Sequence, residues 1–281
     1  MLGKMKSFFR LIRVKHYIKN ILLFAPLFFA HKMTKGLILK ELVAFFAFSF
    51  MASAIYIIND IKDANKDRLH PTKKYRPIAN GEISVFKAII IAIIMILLSL
   101  LFNYFTNSSI NSYLILALYF ILNIAYSFKL KHEPIFDIFL LASFYILRLY
   151  YGGVVVGVNI SDWLFLTVMS ASFFLTFGKR RNELMRSSDT RSVLKYYNKD
   201  FLDKFMYLSL TLTLVFYSIW TIEQEIKYLI ISIPLLFAIF LKYALDVEGE
   251  SDGDPIEVLL KDKKLISLCV LYMGLMFGLM R

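Results

Sequence analysis

The chain has few of the residues that form cross-links or bind zinc. Cys269 is its one cysteine, which excludes a disulfide within the chain and a metal site built from several thiolates. The four histidines are scattered, so their spacing matches no zinc site; they are His16, His31, His70 and His132. Sequence repeats of fixed period and low-complexity linkers are also missing. We therefore expect a single domain over residues 1–281.

Apolar residues dominate the composition. Hydrophobic residues make up 58% of the chain and the mean hydropathy is +0.62, whereas soluble domains contain roughly 45–50% apolar residues. The apolar residues form nine blocks, each close to the ~20 residues that span a bilayer. The blocks are 18–32, 41–58, 84–105, 112–127, 134–156, 161–177, 204–221, 227–245 and 265–280. The pattern predicts an all-α integral membrane protein with nine transmembrane helices.

The positive charges are concentrated in alternate loops. With a cytoplasmic N-terminus, the cytoplasmic segments hold 26 of the 33 Lys and Arg residues and the outer segments hold five. This asymmetry follows the positive-inside rule, and it explains the net charge of +12 without a nucleic-acid partner. We expect a multi-pass protein of the cell membrane with its active site facing the cytoplasm. Residues 1–17 are predicted to form an amphipathic helix on the membrane surface.

The longest polar segments all fall on the predicted cytoplasmic side. They are the candidate site loops 59–83, 128–133, 178–203 and 246–264. The first contains Asp60, Asp63 and Asp67, which share one face of a helix. Asn59 adds a neutral oxygen ligand. Carboxylates of this kind suit Mg²⁺, although a solvated loop would also accommodate them.

Basic residues follow the aspartates within ten positions. Lys73 and Arg76 can bind phosphate, and Arg76 can do so through two nitrogens. His70 precedes Pro71, which predicts the end of the helix at this point. Carboxylates for Mg²⁺ beside cations for phosphate suit a diphosphate substrate.

The second site loop is flanked by further candidates. Tyr126 and Lys129 can share a helical face, although both would also serve as membrane-edge anchors. Asp137 and Arg148 lie inside the apolar block 134–156, where ionisable groups are costly. We interpret both as facing one water-filled pocket; for Arg148 the alternative is a buried structural ion pair.

The third site loop begins with a basic cluster. Lys179, Arg180 and Arg181 are consecutive, and Lys19 near the first apolar block is a further cation. We expect these four side chains to bind anionic groups of a substrate.

These motifs resemble a known family. Asn59-Asp60-x-x-Asp63-x-x-x-Asp67, followed by Arg76-Pro-Ile-x-x-Gly81, is similar to the first motif of the UbiA-type intramembrane prenyltransferase superfamily. The resemblance extends over the whole chain. It implies a bundle of nine helices around a central cavity that is open to the cytoplasmic side.

One departure from the superfamily pattern narrows the resemblance. Superfamily members that use a prenyl diphosphate carry a second aspartate cluster, where this chain has Lys179-Arg180-Arg181. The chain looks like the polyprenyl-phosphate phosphoribosyltransferases of the decaprenyl-phosphate type. Arg13-x-x-x-Tyr17-x-Lys19-Asn20 resembles their first-helix motif, although His16-Tyr17 stands where that motif has Gln-Trp, and Leu147-Arg148 before Gly152-Gly153 looks like another of their stretches.

The narrower resemblance implies a reaction. Phosphoribosyl pyrophosphate would be the donor and a polyprenyl phosphate the acceptor, with Mg²⁺ held by the three aspartates. The basic residues would hold the 5-phosphate of the donor or the lipid phosphate. Two other functions stay open: transfer of a polyprenyl group from its diphosphate to an aromatic or other acceptor, and transport. An oligomer is also possible.

Overall fold

The structure, a computed structural model, describes residues 2–186, 192–249 and 254–280. Within these ranges it contains eleven α-helices and no strand. The helices are α1 Leu2–Leu11, α2 Ala25–Phe29, α3 Lys35–Leu69, α4 Val85–Phe105, α5 Ile110–Phe128, α6 Phe136–Val156, α7 Asp162–Arg186, α8 Lys199–Glu223, α9 Ser232–Glu248, α10 Pro255–Lys261 and α11 Lys263–Leu279. The all-α prediction is confirmed. Residues 187–191 and 250–253 of the predicted site loops lie outside the described residues.

Six helical stretches of the described chain are long and apolar enough to cross a membrane. They are Lys35–Leu69, Val85–Phe105, Ile110–Phe128, Phe136–Val156, Lys199–Glu223 and Leu229–Glu248. The predicted span 18–32 is not one helix, because a 3₁₀ segment, Val14–Phe24, gives way there to the short helix α2. The predicted spans 161–177 and 265–280 coincide with parts of α7 and α11 to within one residue at their ends. The count of nine spans stays a prediction.

Helix α3 carries the acidic motif beyond its apolar part. Its 35 residues extend over about 52 Å at ~1.5 Å per residue, well beyond the ~30 Å hydrocarbon core of a bilayer. The hydroxyl of Thr34 caps its first turn by accepting a hydrogen bond from the Leu37 amide. The helix ends at Leu69, where His70 turns to an extended conformation before Pro71, as predicted. The aspartates therefore lie in the last turns of a long, regular helix.

The contacts within the chain define two compact units. Unit 1 comprises Met1–Phe128 and Leu147–Asn159, and unit 2 comprises Lys129–Ile146 and Ile160–Arg281. In unit 1, α3 packs along α4, around a core of Leu11, Ile12, Ala54, Ile57, Ala64, Ile78, Ala88, Ala92 and Met95. In unit 2, α7 packs along α8, around a core that includes Phe174, Val193, Leu194, Leu202 and Met206. Helix α6 contributes its first half to unit 2 and its second half to unit 1.

Gly152 on α6 allows a close approach within unit 1. A Cβ atom at this position would lie 2.1 Å from the backbone oxygen of Leu23 and 2.9 Å from Oε1 of Glu41. Both distances are far below van der Waals contact. A glycine is therefore needed at this position, because even one methyl group would force the two segments apart.

We expect Gly152→Ala to destabilise the protein, because overpacking at such a contact costs about 1–3 kcal/mol. Thermal unfolding of the purified protein in detergent measures the effect. Gly274→Ala is the matched control: it also lies inside a helix, and a Cβ there would meet no atom within 4 Å. The control should unfold at or slightly above the parent temperature, since alanine favours a helix over glycine. Equal transition temperatures for the two variants would refute the packing argument.

Candidate metal and phosphate site

The acidic motif forms a cluster around one arginine in unit 1. Asp60 and Asp67 are both buried, at 2% and 4% exposure. Nη1 of Arg76 lies 3.0 Å from Oδ1 of Asp60 and 2.6 Å from Oδ2 of Asp67. The two carboxylates therefore converge on a single cationic nitrogen. Asp63 and Asn59 are half-buried on the same helix.

The loop after α3 turns back and places Arg76 between Asp60 and Asp67. A short 3₁₀ turn, Lys73–Tyr75, follows the end of the helix, and Arg76 itself is extended before Pro77. The amide of Asn80 donates to the carbonyl of Arg76, and Gly81 closes the turn with φ +83°, a left-handed conformation that glycine adopts without strain. The polar motif and its basic neighbours are thus one folded unit.

His70 stabilises the start of this loop. Its Nδ1 accepts hydrogen bonds from the amides of Thr72 and Lys73, both at 3.3 Å. Burial lowers the pKa of His70, and the ammonium of Lys73 lowers it further. The neutral ring is the form that can accept these bonds. Lys73 is half-buried beside it.

Arg13 is a second cation on the acidic cluster, and it was not among the predicted site residues. Its Nη2 donates to Oδ1 of Asp60 at 2.5 Å, and its guanidinium lies 4.7 Å from the ring centroid of Tyr56. The preceding helix α1 is held on the loop by hydrogen bonds from Ser7 to Glu82 and from Arg10 to the carbonyl of Tyr75. The bond from Ser7 lowers the pKa of Glu82. The sequence offered one signal for Arg13, its place in the motif shared with Tyr17 and Lys19.

The carboxylates of the cluster are of the type that binds Mg²⁺, and two arginines balance their charge in this structure. Among the described residues, no three His, Cys, Asp or Glu side chains are gathered closely enough to hold a metal ion. Asp60 and Asp67 nevertheless share one cationic atom, and carboxylate oxygens are the ligands that Mg²⁺ prefers. The donor set therefore fits Mg²⁺ if Arg76 leaves the position between the two carboxylates.

Arg148 lies in the interior of unit 1 at 4% exposure. Its Nε donates to Oδ1 of Asn20 at 2.8 Å, and its Nη2 donates to the hydroxyl of Tyr119 at 3.0 Å. Its guanidinium lies 5.2 Å from the ring centroids of both Phe48 and Tyr119. The water-filled surroundings expected for Arg148 are therefore wrong, because Asn20, Tyr119 and Phe48 lie against its buried guanidinium.

Asp137 lies in a buried ion pair of unit 2. Both its oxygens accept hydrogen bonds from Arg180, and Arg180 also donates to Glu183. Asp137 and Arg180 are each 0% exposed. The water-filled pocket expected for Asp137 is therefore wrong as well. The guanidinium of Arg180 is committed to carboxylates, which explains how this charge is tolerated so deeply.

The remaining predicted site residues lie in different surroundings. In unit 2, Lys179 pairs with Asp254 at 3.4 Å and Arg181 pairs with Asp203 at 2.6 Å, while Lys129 is exposed. In unit 1, Lys19 and Tyr126 are half-buried.

We expect Asp137→Asn to be strongly destabilising, because removal of one partner of a buried ion pair costs about 3–5 kcal/mol. Lys261→Met is the matched control. It removes one partner of the pair Lys261–Glu257, whose side chains are 63% and 53% exposed, and exposed pairs contribute at most about 1 kcal/mol. Thermal unfolding in detergent compares the two. A loss for Asp137→Asn no larger than that for Lys261→Met would contradict the assignment.

Comparisons with known proteins agree with this architecture. The profile of the UbiA prenyltransferase family matches residues 21–266. A decaprenyl-phosphate phosphoribosyltransferase of Mycolicibacterium smegmatis is 33% identical, over 94% of this chain and 89% of its own. One of Corynebacterium glutamicum is also 33% identical, over 90% of this chain and 80% of its own.

A solved structure shares the fold. The UbiA homologue of Archaeoglobus fulgidus, solved with GPP and Mg²⁺, superposes with a TM-score of 0.73 at 20% identity and covers 98% of this chain and 99% of its own. The same homologue was also solved with Cd²⁺. The apolar helices and the family profile identify an integral membrane protein. The chain belongs to the UbiA prenyltransferase family.

Proposed function

We propose that this protein transfers the 5-phosphoribosyl group of phosphoribosyl pyrophosphate to a polyprenyl phosphate, with release of diphosphate. The observation that carries the proposal is the 33% identity, over nearly the whole chain, to decaprenyl-phosphate phosphoribosyltransferases. The side chains support it, because carboxylates for a divalent ion lie beside cations for phosphate on one helix and its following loop.

Asp60, Asp63 and Asp67 are the proposed Mg²⁺ ligands, and Asn59 adds an amide oxygen. When bound, Mg²⁺ neutralises charge on the departing diphosphate. Arg76 already bridges Asp60 and Asp67, so it would turn from the carboxylates to the phosphates of the donor. Its planar guanidinium can contact two phosphate oxygens at once.

The chemical step needs no general base in this proposal. An oxygen of the lipid phosphate, already ionised at neutral pH, forms a bond to the anomeric carbon while the bond from that carbon to the diphosphate breaks. The anomeric carbon becomes cation-like as the leaving group departs. The protein then accelerates the reaction by positioning the two anions and stabilising their charge.

The other predicted residues divide into two proposed roles. Phosphate contacts are proposed for Lys19, Lys73, Tyr126, Lys129, Lys179 and Arg181. Arg180 and Asp137 are proposed to hold α6 and α7 together, since each already uses its charge on the other. Nine membrane spans, a cytoplasmic N-terminus, a single domain and a cavity open to the cytoplasm complete the proposal.

The second candidate is prenyl transfer to an aromatic or other acceptor. Solved structures with the same fold contain GPP or DMAPP together with Mg²⁺, which favours this chemistry. Against it, Lys179, Arg180 and Arg181 stand where prenyl-diphosphate enzymes are expected to carry a second acidic cluster.

The direct test supplies the purified protein with labelled phosphoribosyl pyrophosphate, a polyprenyl phosphate and Mg²⁺. We expect a labelled lipid-linked ribose phosphate that disappears with EDTA and returns when Mg²⁺ is restored. Asp63→Asn should lower turnover by about 100-fold or more, because it removes a group that stabilises developing charge. Asp162→Asn, at an exposed aspartate in the first turn of α7, is the matched control and should stay active.

Full activity of Asp63→Asn would refute the metal assignment. The protein could instead consume a labelled prenyl diphosphate in the presence of an aromatic acceptor and leave phosphoribosyl pyrophosphate unused. That result would refute the proposed reaction and support the second candidate.

We expect Arg76→Gln to have opposite effects on metal and donor. Without donor, the variant should bind Mn²⁺ about tenfold more tightly, because the positive charge of Arg76 no longer competes with the metal for the carboxylates. Its KM for the donor should rise by about tenfold or more, because a charged hydrogen bond to phosphate is lost. Titration of free Mn²⁺ by electron paramagnetic resonance measures the first effect.

Lys74→Gln is the control for Arg76→Gln. It removes the same charge from the same loop, but Lys74 is exposed and lies over the ring of Tyr75. Weaker Mn²⁺ binding by Arg76→Gln than by this control would show that the arginine does not compete with the metal.

A further inference from the structure

The segment from Ile12 to Asn20 is fastened to α3 by buried hydrogen bonds. Oγ of Ser53 donates to the carbonyl of Ile12 at 2.8 Å and lies 2.9 Å from the hydroxyl of Tyr17. Nδ2 of Asn20 donates to Oγ of Ser49 at 2.8 Å. The two serines are four residues apart on α3, so they present one polar stripe of the helix to the segment.

Arg148 holds the same segment from α6. Its Nε donates to Oδ1 of Asn20 at 2.8 Å, so the amide of Asn20 is used on both sides. One turn further along α6, Gly152 allows the carbonyl of Leu23 to approach its Cα. The segment therefore lies between α3 and α6 in unit 1. Side chains of both helices form hydrogen bonds with it, and the backbone of α6 also packs closely against it at Gly152.

The backbone of this segment adopts a conformation that it would not favour alone. Arg13 has φ 52° and ψ 49°, which is the left-handed region and is costly for a residue with a Cβ. The next eleven residues, Val14–Phe24, form a 3₁₀ helix, although such helices rarely exceed one turn. Strained conformations persist where the surrounding contacts over-determine them. Asn20, Ser49, Ser53 and Arg148 supply those contacts.

The left-handed turn decides where Arg13 points. From this turn its guanidinium reaches Oδ1 of Asp60, one of the proposed metal ligands. We propose that Arg148 and Asn20 are positioning residues: they hold the segment in place and thereby fix Arg13 at the acidic cluster, without touching the substrate. The part that concerns donor binding rests on the proposed function.

The burial of Arg148 and the partial exposure of Arg13 distinguish their proposed roles. Nε and Nη2 of Arg148 both donate to protein groups, and the residue is 4% exposed. Arg13 is half-buried, with 18% of its side chain exposed, and it borders the carboxylates. A perturbation at Arg148 should therefore reach the substrate through the segment that Asn20 anchors, which carries Arg13.

The first experiment measures the segment itself and needs no activity. Hydrogen–deuterium exchange is followed in the full-length protein for Arg148→Lys, Asn20→Ala and the control Asn103→Ala. Asn103 is an equally buried asparagine of unit 1 that donates to Ser112 and accepts from Tyr151. We expect about tenfold or faster exchange over residues 12–20 in the first two variants, and unchanged exchange there in the control.

The second experiment is a double-mutant cycle on the KM for phosphoribosyl pyrophosphate. Since Arg13 borders the proposed metal and donor site, Arg13→Gln and Asn20→Ala should each raise this KM by about tenfold or more, with a smaller effect on kcat. The effects of the two changes in the double variant should be clearly less than additive, because both weaken the interaction made by Arg13. Asn103→Ala should leave the KM at the parent value even where it lowers the unfolding temperature.

Three results would overturn the proposal. Unchanged exchange over residues 12–20 in Arg148→Lys would show that the arginine does not hold the segment. Additive effects in the cycle would show that Asn20 acts on the donor by a separate route. A rise in KM for Asn103→Ala equal to that for Asn20→Ala would show that the effect comes from a general loss of stability. If the parent protein transfers no phosphoribosyl group, the proposed function fails, while the exchange experiment still decides whether Arg148 and Asn20 position the segment.

Discussion

The attraction between two buried carboxylates and one guanidinium group organises the polar end of unit 1. Asp60 and Asp67 are nearly inaccessible to water, and such charges are stable only when opposite charges meet them. Arg76 meets both. That requirement explains why α3 continues past its apolar part and why the following loop folds back on it. It also explains why a cation from the N-terminal segment, Arg13, is drawn to the same point.

The same ion pairs connect the stability of the acidic cluster with the metal and phosphate binding proposed for it. A divalent cation and a guanidinium group compete for the same carboxylate oxygens, so in the proposed reaction the metal would displace Arg76, which stabilises the free protein. The displaced guanidinium would then lie where it can bind the phosphates of the donor. Unit 2 uses its charges differently, because Asp137 and Arg180 form a buried ion pair inside the protein.

Local patterns predicted much of this correctly. Apolar blocks predicted an all-α membrane protein, the proline after His70 predicted the end of α3, and the spacing of the aspartates brought Asp60 and Asp67 to one face. Pairing across long stretches of sequence could not be predicted in the same way. Arg148 and Asn20 are 128 residues apart, and Arg180 and Asp137 are 43 apart, so their pairing depends on the tertiary fold. The place of Arg13 depends on a left-handed residue that no local propensity favours.

The most direct test is a cryo-EM structure of the protein with Mg²⁺ and phosphoribosyl pyrophosphate. The account predicts metal density between Asp60 and Asp67, with the guanidinium of Arg76 moved onto the phosphates of the donor. A map in which the donor is bound while Arg76 still bridges the two carboxylates, with no metal beside them, would contradict it.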